Sequence, residues 1–311
     1  MKKTIFGLGG IHLAIIGLVI LFGGATFFAK HNLPNQATNT SGVYCSSDGT
    51  LSDTMPIQSH RSYCLKSDST GKTYSINTLN EYSFSIIDDQ GNTVKDFAIT
   101  HTKPMHFIVV RKDLMHFQHI HPEYDSSTGL FTIKDLEFPE NGIYRVFADF
   151  ATNSAMKDSV GMPLEITLSE DIKVGGDYTK QPLGSEENKK TFNGIEFTLI
   201  PTPTPLVSGK ESLLTFNLKR NGQPVSDMEQ YLGAFGHSIV FSEDSLDFIH
   251  AHPMTRKTPH GTLEFMLTFP EAGKYKVFTQ FKRNGKVFTT DFVITVTQGT
   301  SMDTSAPGML H

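Results

Sequence analysis

Phe138-Pro139-Glu140-Asn141-Gly142-Ile143-Tyr144-Arg145-Val146-Phe147 returns 131 residues later as Phe269-Pro270-Glu271-Ala272-Gly273-Lys274-Tyr275-Lys276-Val277-Phe278. The same offset pairs Gly91 with Gly222, Val94 with Val225, Asp96 with Asp227, Phe117 with Phe248 and Pro122 with Pro253. A single ungapped offset over so long a stretch marks a duplicated domain. Within each quoted stretch a turn signal (Glu140-Asn141-Gly142 in the first) opens onto an alternating apolar run, the pattern of a β-strand.

Working outward, the other short alternating segments also read as strands. In the first copy they are residues 83–87, 106–111, 116–121, 130–136, 142–150 and 164–168. In the second they are 196–200, 213–218, 237–241, 247–250, 262–268, 273–281 and 290–296. So many short strands in so short a span indicate a β-sandwich. The expected fold is all-β: two tandem immunoglobulin-like β-sandwich domains, at residues 73–174 and 191–298, after an N-terminal transmembrane helix. The chain has no Trp and neither β-domain has a Cys, so the Cys-Trp-Cys hallmark is missing and only the architecture is implied. Residues 175–190 read as a linker and 299–311 as a disordered tail.

Lys2 and Lys3 precede an uncharged run from Thr4 to Ala29. That run is long enough to cross about 30 Å of hydrocarbon and longer than the h-region of a cleavable signal. An uncleaved anchor over residues 1–29 is favoured over a cleaved signal. The lysines place the N-terminus inside, so the chain is expected at the cell membrane as a single-pass, extracytoplasmic protein. The polar residues 30–72 read as a spacer. Outside the cell Cys45 and Cys64 can form a disulfide, with two unpaired thiols as the other reading. Net charge is -5. No dense basic face is evident, so nucleic acid is not an expected partner.

Six of the thirteen histidines belong to the duplication. His106, His119 and His121 in the first copy match His237, His250 and His252 in the second. Pairing residues 106–111 with 116–121 as a hairpin sets His106 opposite His121 and Ile108 opposite His119. All three imidazoles then share one face with Ile108, Val110 and Phe117. That face is apolar and is expected to point into the core of its own sandwich. Such a trio is either a Cu or Zn site with an open position or a structural cluster bonded to backbone. Asp149, equivalent to Gln280, is a further candidate ligand, although Tyr144, Val146, Ala148 and Phe150 read as the core face and would turn it away. His101 and His116 read as surface residues, and Met105, Met115 and Met162 as ordinary packing rather than soft ligands.

The stretch Lys103-Pro104-Met105-His106 through His119-Ile120-His121-Pro122, with Gly236-His237 through His250-Ala251-His252-Pro253, resembles bacterial secreted or membrane-anchored proteins with YtkA-like immunoglobulin-like domains. The resemblance covers roughly residues 73–298 and implies a role in heavy-metal or copper handling. A Cys-Pro-Met-His-Pro stretch can precede the repeats in such proteins; here Cys45 is followed by Ser46-Ser47. G-x-S-x-G, H-E-x-x-H and glycine-rich phosphate loops are absent, so an enzyme is not expected. The expected function is a non-enzymatic membrane-anchored binding protein for Cu or Zn. The alternative is a structural module that meets another envelope protein.

Overall fold

The computed structural model describes residues 43–47, 62–155, 157, 163–246, 248–251, 253–254 and 259–299. These residues are all-β, with one 3-10 turn at Pro259–Gly261. The first repeat holds β1 (Val43–Ser47), β2 (Ser62–Ser67), β3 (Thr73–Tyr74), β4 (Leu79–Asp88), β5 (His106–Arg111), β6 (Gln118–Ile120), β7 (Glu123–Asp125), β8 (Leu130–Glu137), β9 (Gly142–Phe150) and β10 (Ile166–Val174). They form two sheets, ordered β1-β2-β4-β8-β7 and β3-β10-β9-β5-β6. The second repeat holds β11 (Lys189–Phe192), β12 (Ile195–Thr202), β13 (Leu206–Val207), β14 (Glu211–Arg220), β15 (Gln223–Pro224), β16 (His237–Ser242), β17 (Phe248–Ala251), β18 (Thr262–Thr268), β19 (Gly273–Arg283) and β20 (Lys286–Thr297). Its sheets run β11-β12-β14-β15, with β18 also on β14, and β13-β20-β19-β16-β17.

Each pair of sheets closes on an aromatic core. Tyr82, Phe84 and Phe131 of one sheet meet Phe107, Val109, Tyr144 and Val146 of the other. In the second repeat Phe197, Phe216 and Phe265 meet Val240, Tyr275, Val277 and Phe281. The duplicated motif closes a corner in both. Tyr144 donates its hydroxyl to the Glu140 carbonyl at 2.8 Å, and Tyr275 to that of Glu271 at 2.9 Å. Such a tyrosine corner pins the start of a strand to the chain four residues upstream, a recurrent device of Greek-key sandwiches.

A third apolar cluster lies between the two sandwiches. Ile108, Val110 and Phe147 of the first repeat pack on Ile239, Phe241, Phe278 and Val293 of the second. Phe117 stacks on Phe278 at 4.4 Å, and the equivalent pair, Phe248 and Phe147, stacks at 5.5 Å. The order of layers is therefore sheet, core, sheet, interface, sheet, core, sheet. This corrects the expected direction of the histidine face. Ile108, Val110 and Phe117 do share a face with the histidines, but it looks at the other domain, while Phe107 and Val109 fill the home core. Strand β5 is buried on both faces, so its alternation carried no sign of which face was which.

Two boundaries also move. Residues 62–67, expected in the spacer, form β2 and pair with β4, because Tyr63 and Leu65 are buried in the first core. The linker is no free tether: Leu183 is buried in the interface cluster and the Gln181 amide donates to Asp113 at 3.1 Å. Cys64 is disulfide-bonded, and Cys45, the only other cysteine, stands opposite it in the β1–β2 register. No helix among the described residues is long and apolar enough to cross a membrane. The expected anchor over 1–29 and tail residues 300–311 lie outside the described residues.

Candidate metal centre

The hairpin of β5 and β6 keeps the expected register, with Ile108 opposite His119. In the second repeat Ile239 stands opposite His250. His106 is fully buried and His237 is 1% exposed. Because both histidine faces turn outward, the two sets meet. The rings of His106 and His237 stack at 5.6 Å, and those of His119 and His237 at 5.0 Å. The result is one composite cluster between the domains.

Two groups within it bring donor atoms close enough to hold a metal ion. His106, His119 and His121 place one nitrogen each within 4.8 Å of one another, and so do the donor atoms of Asp149, Glu165 and His250. The first group is uncharged. Burial, reinforced by the neighbouring His250 charge, lowers His106 to about 3. Burial and then Lys103 lower His121 to about 4, and burial and His106 hold His119 well below the usual histidine range.

The hydrogen-bond partners of His106, and of His119 with the Gln280 amide oriented toward Thr289, assign two tautomers of this group. His106 Nε2 lies 3.2 Å from the Thr100 carbonyl, which only accepts, so Nε2 carries the proton. His119 Nδ1 lies 2.7 Å from Gln280 Oε1, whose amide nitrogen is turned to Thr289. A neutral imidazole has one N–H, so the remaining nitrogens are lone pairs. Yet His106 Nδ1 and His119 Nε2 face each other at 3.0 Å. Two lone pairs that close repel unless a cation lies between them. Ligands about 2.0–2.1 Å from a tetrahedral Zn ion stand about 3.3 Å apart, which is near this spacing. His121 Nε2 is buried with no hydrogen-bond partner, so the tautomer protonated at Nδ1 would offer a third lone pair to the same ion.

The second group is charged. Asp149 sits opposite His106 in the β5–β9 register and is 1% exposed. Its Oδ2 lies 3.0 Å from His250 Nδ1, while Oδ1 accepts from Thr167. Glu165 Oε2 is 3.5 Å from the same nitrogen. Burial alone would lower His250, but hydrogen bonds to Asp149 and Glu165 and their charges push it up to about 10. Burial and the neighbouring Glu165 raise Asp149. Burial would raise Glu165 too, but hydrogen bonds from His101 and His250 hold it well below the usual carboxylate range.

Asp149 thus turns away from its own core, as its strand alternation implies, and for that reason reaches the histidines. His101 was expected at the surface. Instead its Nε2 lies 3.1 Å from Glu165 Oε1, and its ring centroid is 5.3 Å from that of His250. It gets there by a tight turn in which Thr100 and Lys103 exchange backbone hydrogen bonds. His101 and Thr102 both have positive φ there, 49° and 71°. His116 lies 3.3 Å from Glu140, apart from the cluster. Met105 is buried in the first core as packing; Met162 and His252 lie outside the described residues. Glu165 went unrecognised in the sequence, where a lone Glu just ahead of a strand carries no signal.

The cross-domain bonds are reciprocal. His119 of the first repeat reaches Gln280 of the second, and the equivalent His250 of the second reaches Asp149 of the first.

No curated protein matches the chain. Among solved structures, the chain is similar to InvD of Yersinia pseudotuberculosis, with 13% identity over 76% of this chain and a TM-score of 0.24; it spans 58% of that chain. It is also similar to domains 4 and 5 of the S-layer protein SbsC, with 9% identity, 82% of this chain, 96% of that chain and a TM-score of 0.21. Titin domains z1z2, solved in complex with telethonin, match at 11% identity over 74% of this chain and 93% of theirs, with a TM-score of 0.17. A family model matches residues 65–159 and 190–298, one segment in each repeat. The chain belongs to the family described as a domain of unknown function, DUF8832.

Proposed function

We propose that this protein is a membrane-anchored, extracytoplasmic, non-enzymatic binding protein that holds a Cu or Zn ion through His106, His119 and His121. The observation that carries the reading is the 3.0 Å approach of His106 Nδ1 to His119 Nε2, two nitrogens whose partners leave both as lone pairs. Neutral imidazoles suit both metals. The ion lies where one domain meets the other, and Gln280 of the second repeat orients a ligand of the first, as outer-shell partners of metal-bound histidines do. The disulfide at Cys64 supports an oxidising compartment, and the paired tyrosine corners support immunoglobulin-like sandwiches.

The reciprocal bonds from His119 and His250 favour a second reading, a structural module whose polar cluster locks two domains together to display a surface to an envelope partner. Titration of the full-length chain with Cu(II) and with Zn(II) separates the two. One equivalent bound at micromolar or lower concentration, and lost in His119→Ala and His121→Ala, is the expected result. A folded wild-type chain that takes up neither ion at that concentration leaves the module.

A further inference from the structure

We infer that Asp149, Glu165 and His250 form a second cation site, unlike the histidine trio in chemistry and present once per chain. The inference stands on its own donors and does not require the trio to bind. His250 Nδ1 lies 3.0 Å from Asp149 Oδ2 and 3.5 Å from Glu165 Oε2. These spacings bracket the roughly 3.3 Å expected between ligands of a tetrahedral ion with bonds of about 2.0–2.1 Å. Thr167 holds Oδ1 of Asp149 at 2.9 Å and so leaves Oδ2 aimed at the site. His101 Nε2 lies 3.1 Å from the other oxygen of Glu165 and fixes that carboxylate from behind. Each acidic ligand therefore has one oxygen committed outward and one turned to the centre, the outer-shell support that built sites show.

Charge selects the occupant. Two carboxylates buried side by side demand positive charge: the His250 imidazolium supplies it in the metal-free protein, and a cation that displaces the Nδ1 proton supplies it when bound. A set of two carboxylates and one imidazole suits Zn2+, Mn2+ or Fe2+, while Cu(I) favours softer donors. The trio, with three neutral nitrogens, lacks the carboxylates that Mn2+ favours. Among the described residues of the site, Glu165 and His101 form the solvent-exposed side. The Asp149 and His250 side chains are 2% and 6% exposed, whereas Glu165 and His101 are 26% and 23% exposed.

The second repeat does not build this site. Asp149 is paired with Thr167 and the equivalent Gln280 with Thr289. Two residues back from each threonine stand Glu165 and Val287. The acids of the first repeat are thus Gln280 and Val287 in the second, and no carboxylate takes either place.

Co(II) titration of the full-length chain, followed by its d–d absorption, tests the inference. The wild type is expected to bind two equivalents with different spectra. Glu165→Gln, which keeps the size of the side chain, should weaken one of them by at least about tenfold, since even outer-shell partners are worth 10–100-fold. His121→Ala should weaken the other and leave the Glu165-dependent spectrum in place. If His121→Ala changes neither spectrum, the trio reading falls and this site stands. If a folded Glu165→Gln binds Co(II) with unchanged stoichiometry and spectra, this site is overturned. Mn(II), read from the loss of the free aquo-ion EPR signal, needs no substitution at Glu165. One equivalent bound by the wild type, and still by His121→Ala, is expected; a wild type that binds no Mn(II) overturns the inference.

Discussion

The turn before the first strand histidine is the same hairpin in both repeats, but it is made of different residues. Thr100 and Lys103 exchange backbone hydrogen bonds around His101-Thr102, and Tyr231 and Ala234 do so around Leu232-Gly233. The φ values nearly repeat: 49° and 71° in the first, 55° and 82° in the second. Positive φ at both central positions is what a type I′ turn requires, and Gly takes it freely where β-branched Thr does not. The second repeat uses Gly233; the first accepts strain at Thr102 and gains an imidazole at His101. Strain retained beside a cluster of ligating groups points to a function for that cluster. Asp149 against Gln280 and Glu165 against Val287 follow the same division. The apolar interface is shared evenly between the repeats, while both acids that face His250 sit in one.

The largest expected effect tests the even part. Phe147→Ala and Phe278→Ala remove equivalent rings, 4% and 5% exposed, from the interface. Each should lower stability by about 3–5 kcal/mol in urea unfolding, and the two losses should agree to within about 1 kcal/mol. A loss confined to one of them breaks the equivalence.

The uneven part predicts unequal losses. In metal-free protein Asp149→Asn should cost about 3 kcal/mol, the low end for breaking a buried ion pair, because Glu165 still faces His250. Gln280→Ala should cost only about 1–2 kcal/mol, the loss of a neutral acceptor for His119. Equal losses would mean that the acid and the amide do the same work. The smallest effect belongs to the turns. Thr102→Gly should stabilise the chain by about 1 kcal/mol and Gly233→Thr should destabilise it by a similar amount, read as opposite shifts in thermal midpoint.

Much of this was legible in the sequence. The offset exposed the duplication, and strand alternation put His106, His119, His237 and His250 on one shared face of their strands. What alternation lacked was direction. Phe107 and Val109 are as apolar as Ile108 and Val110, so both faces of β5 looked like cores. Both are cores, and the continuous apolar run was itself the sign of a strand covered on two sides. Asp149 could be found by its offset, and alternation turned it from the core correctly; what was missing is that the histidines turn the same way. His101 was hidden for a different reason. Its approach depends on a left-handed turn that neither His nor Thr advertises. Glu165 reaches the cluster only through the β9–β10 pairing, a long-range contact without local pattern.

The crosswise bonds, His119 to Gln280 and His250 to Asp149, have an evolutionary consequence. A homodimer meeting through this face would be isologous, and every substitution would appear on both sides of the axis at once. An acid gained beside one histidine would be gained beside its mate, doubling the buried charge. Joining the two copies in one polypeptide removes that obligation. Either half can mutate while its twin keeps the packing that holds the pair together. Covalent linkage of the repeats thus lets a symmetric scaffold carry an asymmetric constellation of ligands.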